Sequence, residues 1–374
     1  MLKRLHLYLL FLLASSSFTL AEKSVVDKGE TLRRPHNRQI VRVPDIPGYV
    51  TLKCDFHIHT VFSDGIVWPT VRVREAWEEG LDAIAITDHI ENQPSKRFVG
   101  GDHNSSYDIA LPEARARNIV LIRAGEITRE MPPGHLNALF LSDVNKLDVE
   151  DPEAAVDAAL EQGGFVFWNH PGWEAQQPDD TLMFPVHKRW MEEGKIHGME
   201  VFNEKEWYPL ALKWTLENDL AVMGNSDIHD VNEHYYDVRY SHRPMTLVFA
   251  ENRSEEAIKE ALFDGRTAAW WGNEVAGKPE ILEELFRQSV EIGQPYMVDE
   301  DGRSYLEIKN KSDLTFILEP EEGGQFPERT VLLPDGIQMI RVNLAEVPPE
   351  TLFLVTNFHT GMDENLTVKV SFSK

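Results

Sequence analysis

Two histidines one residue apart close the stretch Asp55-Phe56-His57-Ile58-His59-Thr60. Alternate residues of a strand face the same way, so the two imidazoles can serve one cation. Alone, such a pair is often structural. The rest of the chain repeats the placement: Thr87-Asp88-His89, Gly125-Glu126, Asn169-His170-Pro171-Gly172 and Ser226-Asp227-Ile228-His229 each close an apolar run, and His135 just precedes one. Scattered core histidines would share no such phase. Gathering these imidazoles and carboxylates without a cation would leave polar groups unpaired and like charges close together. The pattern therefore points to divalent metal held by His, Asp and Glu.

The elements that must carry these residues follow from the hydrophobic rhythm. Apolar runs at Leu52–Ile58, Ala83–Thr87, Ile119–Ile122, Leu136–Leu141, Phe165–Trp168, Gly198–Phe202, Ala221–Met223 and Met245–Phe249 alternate with helical patterns such as Thr70–Glu79, Pro152–Gln162 and Pro209–Asn218. Strand-helix alternation implies a parallel α/β sheet or a barrel, and seven or eight strands in one domain favour the barrel. In such barrels the site is built from the C-terminal ends of different strands, which is where the candidate ligands fall. After Trp270-Trp271-Gly272 the rhythm changes. A helical segment, Lys278–Arg287, leads into short alternating strands without helices, the pattern of a small β-sandwich. The expected division is a barrel over 49–277, then a linker helix and β-sandwich over 278–374.

Taken together, these motifs, with Ser63-Asp64-Gly65, closely resemble those of the PHP family of polymerase and histidinol phosphatase domains. The resemblance implies a distorted (β/α)7 barrel and three divalent ions, manganese, zinc or iron. One ion would be held by His57, His59, Glu126 and Asp227. A second would take Glu126 as a bridge with His135 and His170, and a third Asp64, His89 and His229. Asp55 and Asp88 would orient ligand imidazoles from behind. The implied reaction is hydrolysis of a phosphate ester by a metal-bridging hydroxide, with Glu126, Asp227 and His229 at its centre. Within the family, the chain is most similar to exported phosphodiesterases, through its N-terminus, the segment Met131–Asn137 and the β module. A phosphomonoesterase is the nearest alternative. An amidohydrolase-type C–N hydrolase would normally use a carboxylated lysine where Glu126 stands, and a catalytically silent barrel would not be expected to keep the full ligand set.

Arg129, Arg243, His103 and Trp173 are the expected substrate contacts, the arginines for phosphate oxygens. Trp173 and the pair Trp207-Tyr208 offer aromatic surface, which suits an uncharged ester arm. The formal charge of −25 excludes a protein that coats polymeric nucleic acid through a basic face, and leaves a small phosphate ester as the expected partner. Lys3 and Arg4, the apolar run Leu7–Leu13 and the small residue Ala21 read as a signal peptide over 1–21, followed by a leader over 22–48. The expected location is periplasmic or extracellular, with no stable membrane insertion. Cys54, the single cysteine, excludes an intramolecular disulfide and reads as a core residue.

Overall fold

Each short apolar run becomes a strand, because β-branched and aromatic side chains suit a pleated surface buried on both faces. The computed structural model describes residues 37–372 apart from 239, 323–324, 344–345 and 348–349. The expected signal peptide and the leader up to residue 36 lie outside the described residues. In order come β1 (Val50–Asp55), β2 (Ala83–Ile86), β3 (Val120–Ile127), β4 (Leu136–Leu139), β5 (Phe165–Trp168), β6 (Gly198–Asn203), the two-residue β7 (Glu206–Trp207), β8 (Ala221–Asn225) and β9 (Met245–Ala250). Between them run α1 (Pro69–Glu78), α2 (Ser105–Arg117), α3 (Pro152–Leu160), α4 (Pro185–Glu192), α5 (Pro209–Glu217), α6 (Asn232–Tyr236) and α7 (Glu255–Phe263). Proline opens α1, α3, α4 and α5, where its missing N–H has no intrahelical partner to lose.

Pairing is parallel for β1–β2, β2–β3, β5–β6 and β6–β8, but β4 runs antiparallel to both β3 and β5. The wholly parallel arrangement suggested by the rhythm fails at β3–β4 for a simple reason. Residues 128–135, which join these strands, are too few for a crossover helix. β9 lies antiparallel along the edge of β1, so β8 cannot pair there along its length. The ring β1-β2-β3-β4-β5-β6-β8 is instead joined by one bridge, Ile58 to Ile228, with the His59 N–H donating to the Ile228 carbonyl at 3.1 Å. Closure thus occurs only at the end that carries the histidines. Leu52, Cys54, Phe56, Ala85, Phe165, Phe167 and Met223 form a buried cluster from strands around this ring.

β10 (Thr267–Trp271) and β11 (Glu274–Gly277) extend the sheet antiparallel from β9, and α8 (Pro279–Ser289) follows. The C-terminal strands are β12 (Val290–Ile292), β13 (Met297–Val298), β14 (Ser304–Asn310), β15 (Phe316–Pro320), β16 (Thr330–Leu332), β17 (Ile337–Val342), β18 (Glu350–His359) and β19 (Asn365–Ser371). One sheet holds β12, β13, β14 and β17; the other strands form a sheet that continues into the barrel, because β18 pairs parallel with β11 at Val275–Phe358 and Ala276–His359. One buried cluster joins Met245, Trp270 and Val275 to Phe316, Val355 and Phe358. Arg38 donates to the carbonyls of Gly80 and Leu81 and Arg42 pairs with Asp313, so the end of the leader is tied to the folded chain. No helix among the described residues is long and apolar enough to cross a membrane.

Candidate metal centre

His57 and His59 stand just past the end of β1, and their Nε2 atoms meet the same two carboxylates. His57 Nε2 lies 3.1 Å from Glu126 Oε2 and 3.1 Å from Asp227 Oδ1, and His59 Nε2 lies 3.2 Å and 2.9 Å from those oxygens. Glu126, the penultimate residue of β3, faces His135 Nδ1 at 2.7 Å through its other oxygen. Asp64 Oδ1 sits 3.3 Å from His89 Nε2 and 3.2 Å from His229 Nε2. His170 is more distant, its Nε2 3.8 Å from Asp227 Oδ2. All nine expected ligand residues are therefore brought together. Three subsets place their ligand atoms within 4.8 Å of one another: His57, His59 and Asp227; His59, Asp64, His89 and His229; and His89, Glu126 and His135. The subsets overlap at His59 and His89, so the nine residues form one continuous cluster, with His170 at its margin. His170 and Asp227 also hold left-handed φ values of +29° and +48°, uncommon for residues other than glycine.

The hydrogen bonds fix which ring nitrogen is presented. Nδ1 of His57 meets Glu200 at 2.9 Å, that of His59 meets the Ser63 hydroxyl at 3.3 Å, that of His89 the Thr128 hydroxyl at 2.6 Å, and that of His229 the Asp227 carbonyl at 2.7 Å. With Nδ1 engaged as donor, Nε2 keeps a lone pair for a cation. Burial pushes the Asp227 and Glu126 carboxyls up, yet the surrounding imidazoles outweigh it and hold both well below the ordinary range. His59 is shifted down by burial and by the nearby His229 and His89. His59 Nε2, Asp64 Oδ1, Glu126 Oε1, His170 Nδ1 and Asp227 Oδ1 are buried and make no well-formed hydrogen bond, although all but His170 Nδ1 face another candidate ligand at 2.7–3.3 Å. Unsatisfied groups at this density are costly in an ordinary core. Lone pairs converging on one space fit divalent cations, and the mixture of imidazole and carboxylate suits manganese, zinc or iron.

Glu200 is the functional residue the sequence did not reveal. It lies fully buried in β6 and accepts from His57 Nδ1, from the amides of Asn203 at 2.8 Å and Asn225 at 3.0 Å, and from the His170 N–H at 2.8 Å. Burial pushes its carboxyl up, opposed by the His57 ring. Glu200 thus sets the tautomer of one candidate ligand and the backbone of another. Replacing Glu200 with Gln keeps the shape but turns an amide N–H against these donors. The expected result is about a 10- to 100-fold loss of metal affinity, read by titration against a chelator; affinity within twofold of wild type would remove Glu200 from this role.

The expected roles of Asp55 and Asp88 change in detail. Asp88 accepts from the Thr60 N–H and from the hydroxyls of Thr60 and Ser63, so it reaches the His59 ring only through Ser63. Asp55 accepts from the His57 backbone N–H at 3.3 Å rather than from its ring. It accepts from the N–H and hydroxyl of Ser226, next to Asp227, and from Arg243. Arg72, also fully buried, donates to the carbonyls of His59, Ile228 and Asp230, tying the two sides of the ring closure together.

Above the cluster opens a cavity of about 260 Å³, lined by Asp64, His89, His135, His170, Asp227 and His229 together with the buried Asn203 and with Asn92, Thr128, Trp173, Glu204 and Glu206, of which Glu206 and Trp173 are exposed. Trp173 is among the expected contacts, with its ring 5.2 Å from that of His170. The other three are not in the lining. Arg243 is buried in the core, bonded to Glu79 and Asp55, and cannot reach a substrate. Arg129 is consumed by Glu91 and by the carbonyls of Thr128 and Val149. His103 is held between Gln93 and Asp148. Trp207 likewise packs on Phe202 and His359 rather than into the cavity.

An Ig-like domain family matches residues 290–371, the C-terminal strands. A solved two-domain protein from Bacteroides vulgatus ATCC 8482, described as containing a predicted PHP-like metal-dependent phosphoesterase, is 42% identical with a TM-score of 0.86, covering 90% of this chain and 99% of that one. A putative metal-dependent phosphoesterase from Bifidobacterium adolescentis ATCC 15703 is 18% identical with a TM-score of 0.39, over 47% of this chain and 87% of that one. An amidohydrolase from Chromobacterium violaceum is 15% identical with a TM-score of 0.37, over 48% and 88%. The latter two are too distant to carry an argument. No curated protein matches. The phased ligand set, the distorted barrel and a relative matched along nearly its whole length place this chain in the PHP superfamily, with a C-terminal Ig-like domain.

Proposed function

We propose that the chain hydrolyses small phosphodiesters, using divalent ions held by His57, His59, Asp64, His89, Glu126, His135, His170, Asp227 and His229. The observation that carries the diester reading is that no lysine or arginine among the described residues lines the cavity, while Glu204 and Glu206 do. A monoester dianion needs positive charge beyond the metals and would approach two carboxylates without it. A diester carries one negative charge. Bound divalent ions would supply Lewis acidity to the phosphoryl oxygens and acidity to a water molecule. The chain's own residues hold the geometry: Asp227 and His229 face the phosphoryl end, Glu126 would act from beneath through the ions it holds, Thr128 and Asn203 offer neutral polar groups, and Trp173 covers one side of the ester. The basic, then apolar, then small order of residues 1–21 supports an exported enzyme.

The deciding experiment compares a monoester and a diester with the same aryl leaving group, metal and pH. The diester is expected to show the higher kcat/KM. A monoester advantage of about tenfold, equivalent to ~1.4 kcal/mol in the transition state, would move the chain to the phosphatase branch.

A further inference from the structure

We infer that the mouth of this cavity is a subsite for a positively charged ester arm, formed by Glu204 and Glu206 with Trp173. The inference rests on the phosphodiester reading and names the chemistry of one ester arm. β6 and β7 pair at Asn203–Glu206, which leaves Glu204 and Lys205 as the turn; both glutamates line the cavity, Glu206 exposed and Glu204 half-buried, so they stand at its solvent side. Glu204 holds a left-handed φ of +49°, a conformation that asparagine or glycine would adopt more readily. The Tyr235 hydroxyl donates to Glu204 Oε2 and the Tyr208 hydroxyl to Glu206 Oε2, so each carboxylate is oriented through one oxygen and keeps the other. The nearest cation of the hairpin, Lys205, lies 4.0 Å from the Tyr235 ring centroid and is not part of the lining.

The two ends of the cavity therefore differ in kind. At the bottom, Asp227 Oδ1 faces the Nε2 atoms of His57 and His59, and His170 Nδ1 is buried without a hydrogen-bond partner, the end where cations and the phosphoryl group belong. At the mouth stand carboxylates and the half-exposed ring of Trp173, whose face attracts ammonium groups. An uncharged arm, expected from the aromatic residues of the sequence, would desolvate these carboxylates without pairing them. An anionic arm would be repelled. An alkylammonium arm satisfies both the carboxylates and the ring.

The test compares p-nitrophenyl phosphocholine with its uncharged isostere, 3,3-dimethylbutyl p-nitrophenyl phosphate, on the metal-loaded full chain. The choline ester is expected to have about tenfold higher kcat/KM, and the E204Q/E206Q double variant to cut that ratio at least fivefold. Calorimetry provides a reading without turnover: phosphocholine should bind about tenfold tighter than 3,3-dimethylbutyl phosphate. Equal dissociation constants, or a selectivity ratio that the double variant leaves unchanged, overturn the subsite. A calorimetric preference without hydrolysis of either diester would overturn the diesterase reading instead and leave the subsite standing.

Discussion

Asp227→Asn is expected to lower kcat/KM for the best diester at least about a thousandfold, ~4 kcal/mol of transition-state stabilisation, and to reduce bound metal by at least one ion per chain. Asp227 Oδ1 stands within 3.1 Å of the Nε2 atoms of both His57 and His59, and Oδ2 lies 3.8 Å from His170 Nε2. Removing its charge leaves the cations held by imidazoles with one carboxylate fewer to balance them. Asparagine is chosen because it tolerates the left-handed φ of +48° that alanine would strain, so the loss is not confounded with backbone distortion. Circular dichroism should match wild type. The measurement pairs steady-state kinetics with metal analysis, in which the wild type should carry two to three ions. A variant with near-normal rate and a full metal complement would show that the site is organised around other residues.

The largest effect on stability is expected at Arg243→Ala, about 3–5 kcal/mol. The guanidinium is fully buried and donates to Glu79 at 2.9 Å and 3.0 Å and to Asp55 at 3.0 Å. Truncation leaves two carboxylates in the core without their cation, which costs far more than the pair contributes in net terms. Lysine cannot reproduce the fork, so Arg243→Lys should be intermediate. Denaturant titration reads the change directly through the midpoint at constant slope. A loss below 1 kcal/mol would mean that water or Asn232, which also donates to Glu79, satisfies these groups. Because Asp55 holds the N–H and hydroxyl of Ser226, part of the activity should fall along with stability.

The ligands were legible because their position in the rhythm, at the close of apolar runs, survives without any knowledge of pairing. Glu200 was not, since it sits inside Met199-Glu200-Val201, a run that reads as core strand. The available signal was the acid itself, which a buried strand keeps only with partners to satisfy it. Arg243 misled in the opposite way. Ser241-His242-Arg243-Pro244 looks like an exposed loop, and its partner Glu79 lies 164 residues away. The antiparallel β4 could have been read from the short link 128–135, whereas α2 carries Pro112 within it and gives little periodic signal. The C-terminal strands were visible from their alternation. Their continuity with the barrel was not, because the β11–β18 pairing joins distant segments through no local pattern.

The ring of strands is joined at one bridge, Ile58 to Ile228, and the residues flanking that bridge are His57 and His59 on one side and Asp227 and His229 on the other. A cation shared between those sides would be a clasp on the seam of the barrel as well as a cofactor. Its binding energy then enters the folding equilibrium: at a free concentration a hundred times its dissociation constant, one ion adds about 2.7 kcal/mol to the stability of the chain. With the export proposed above, folding would be coupled to the metal supply of the compartment the chain reaches.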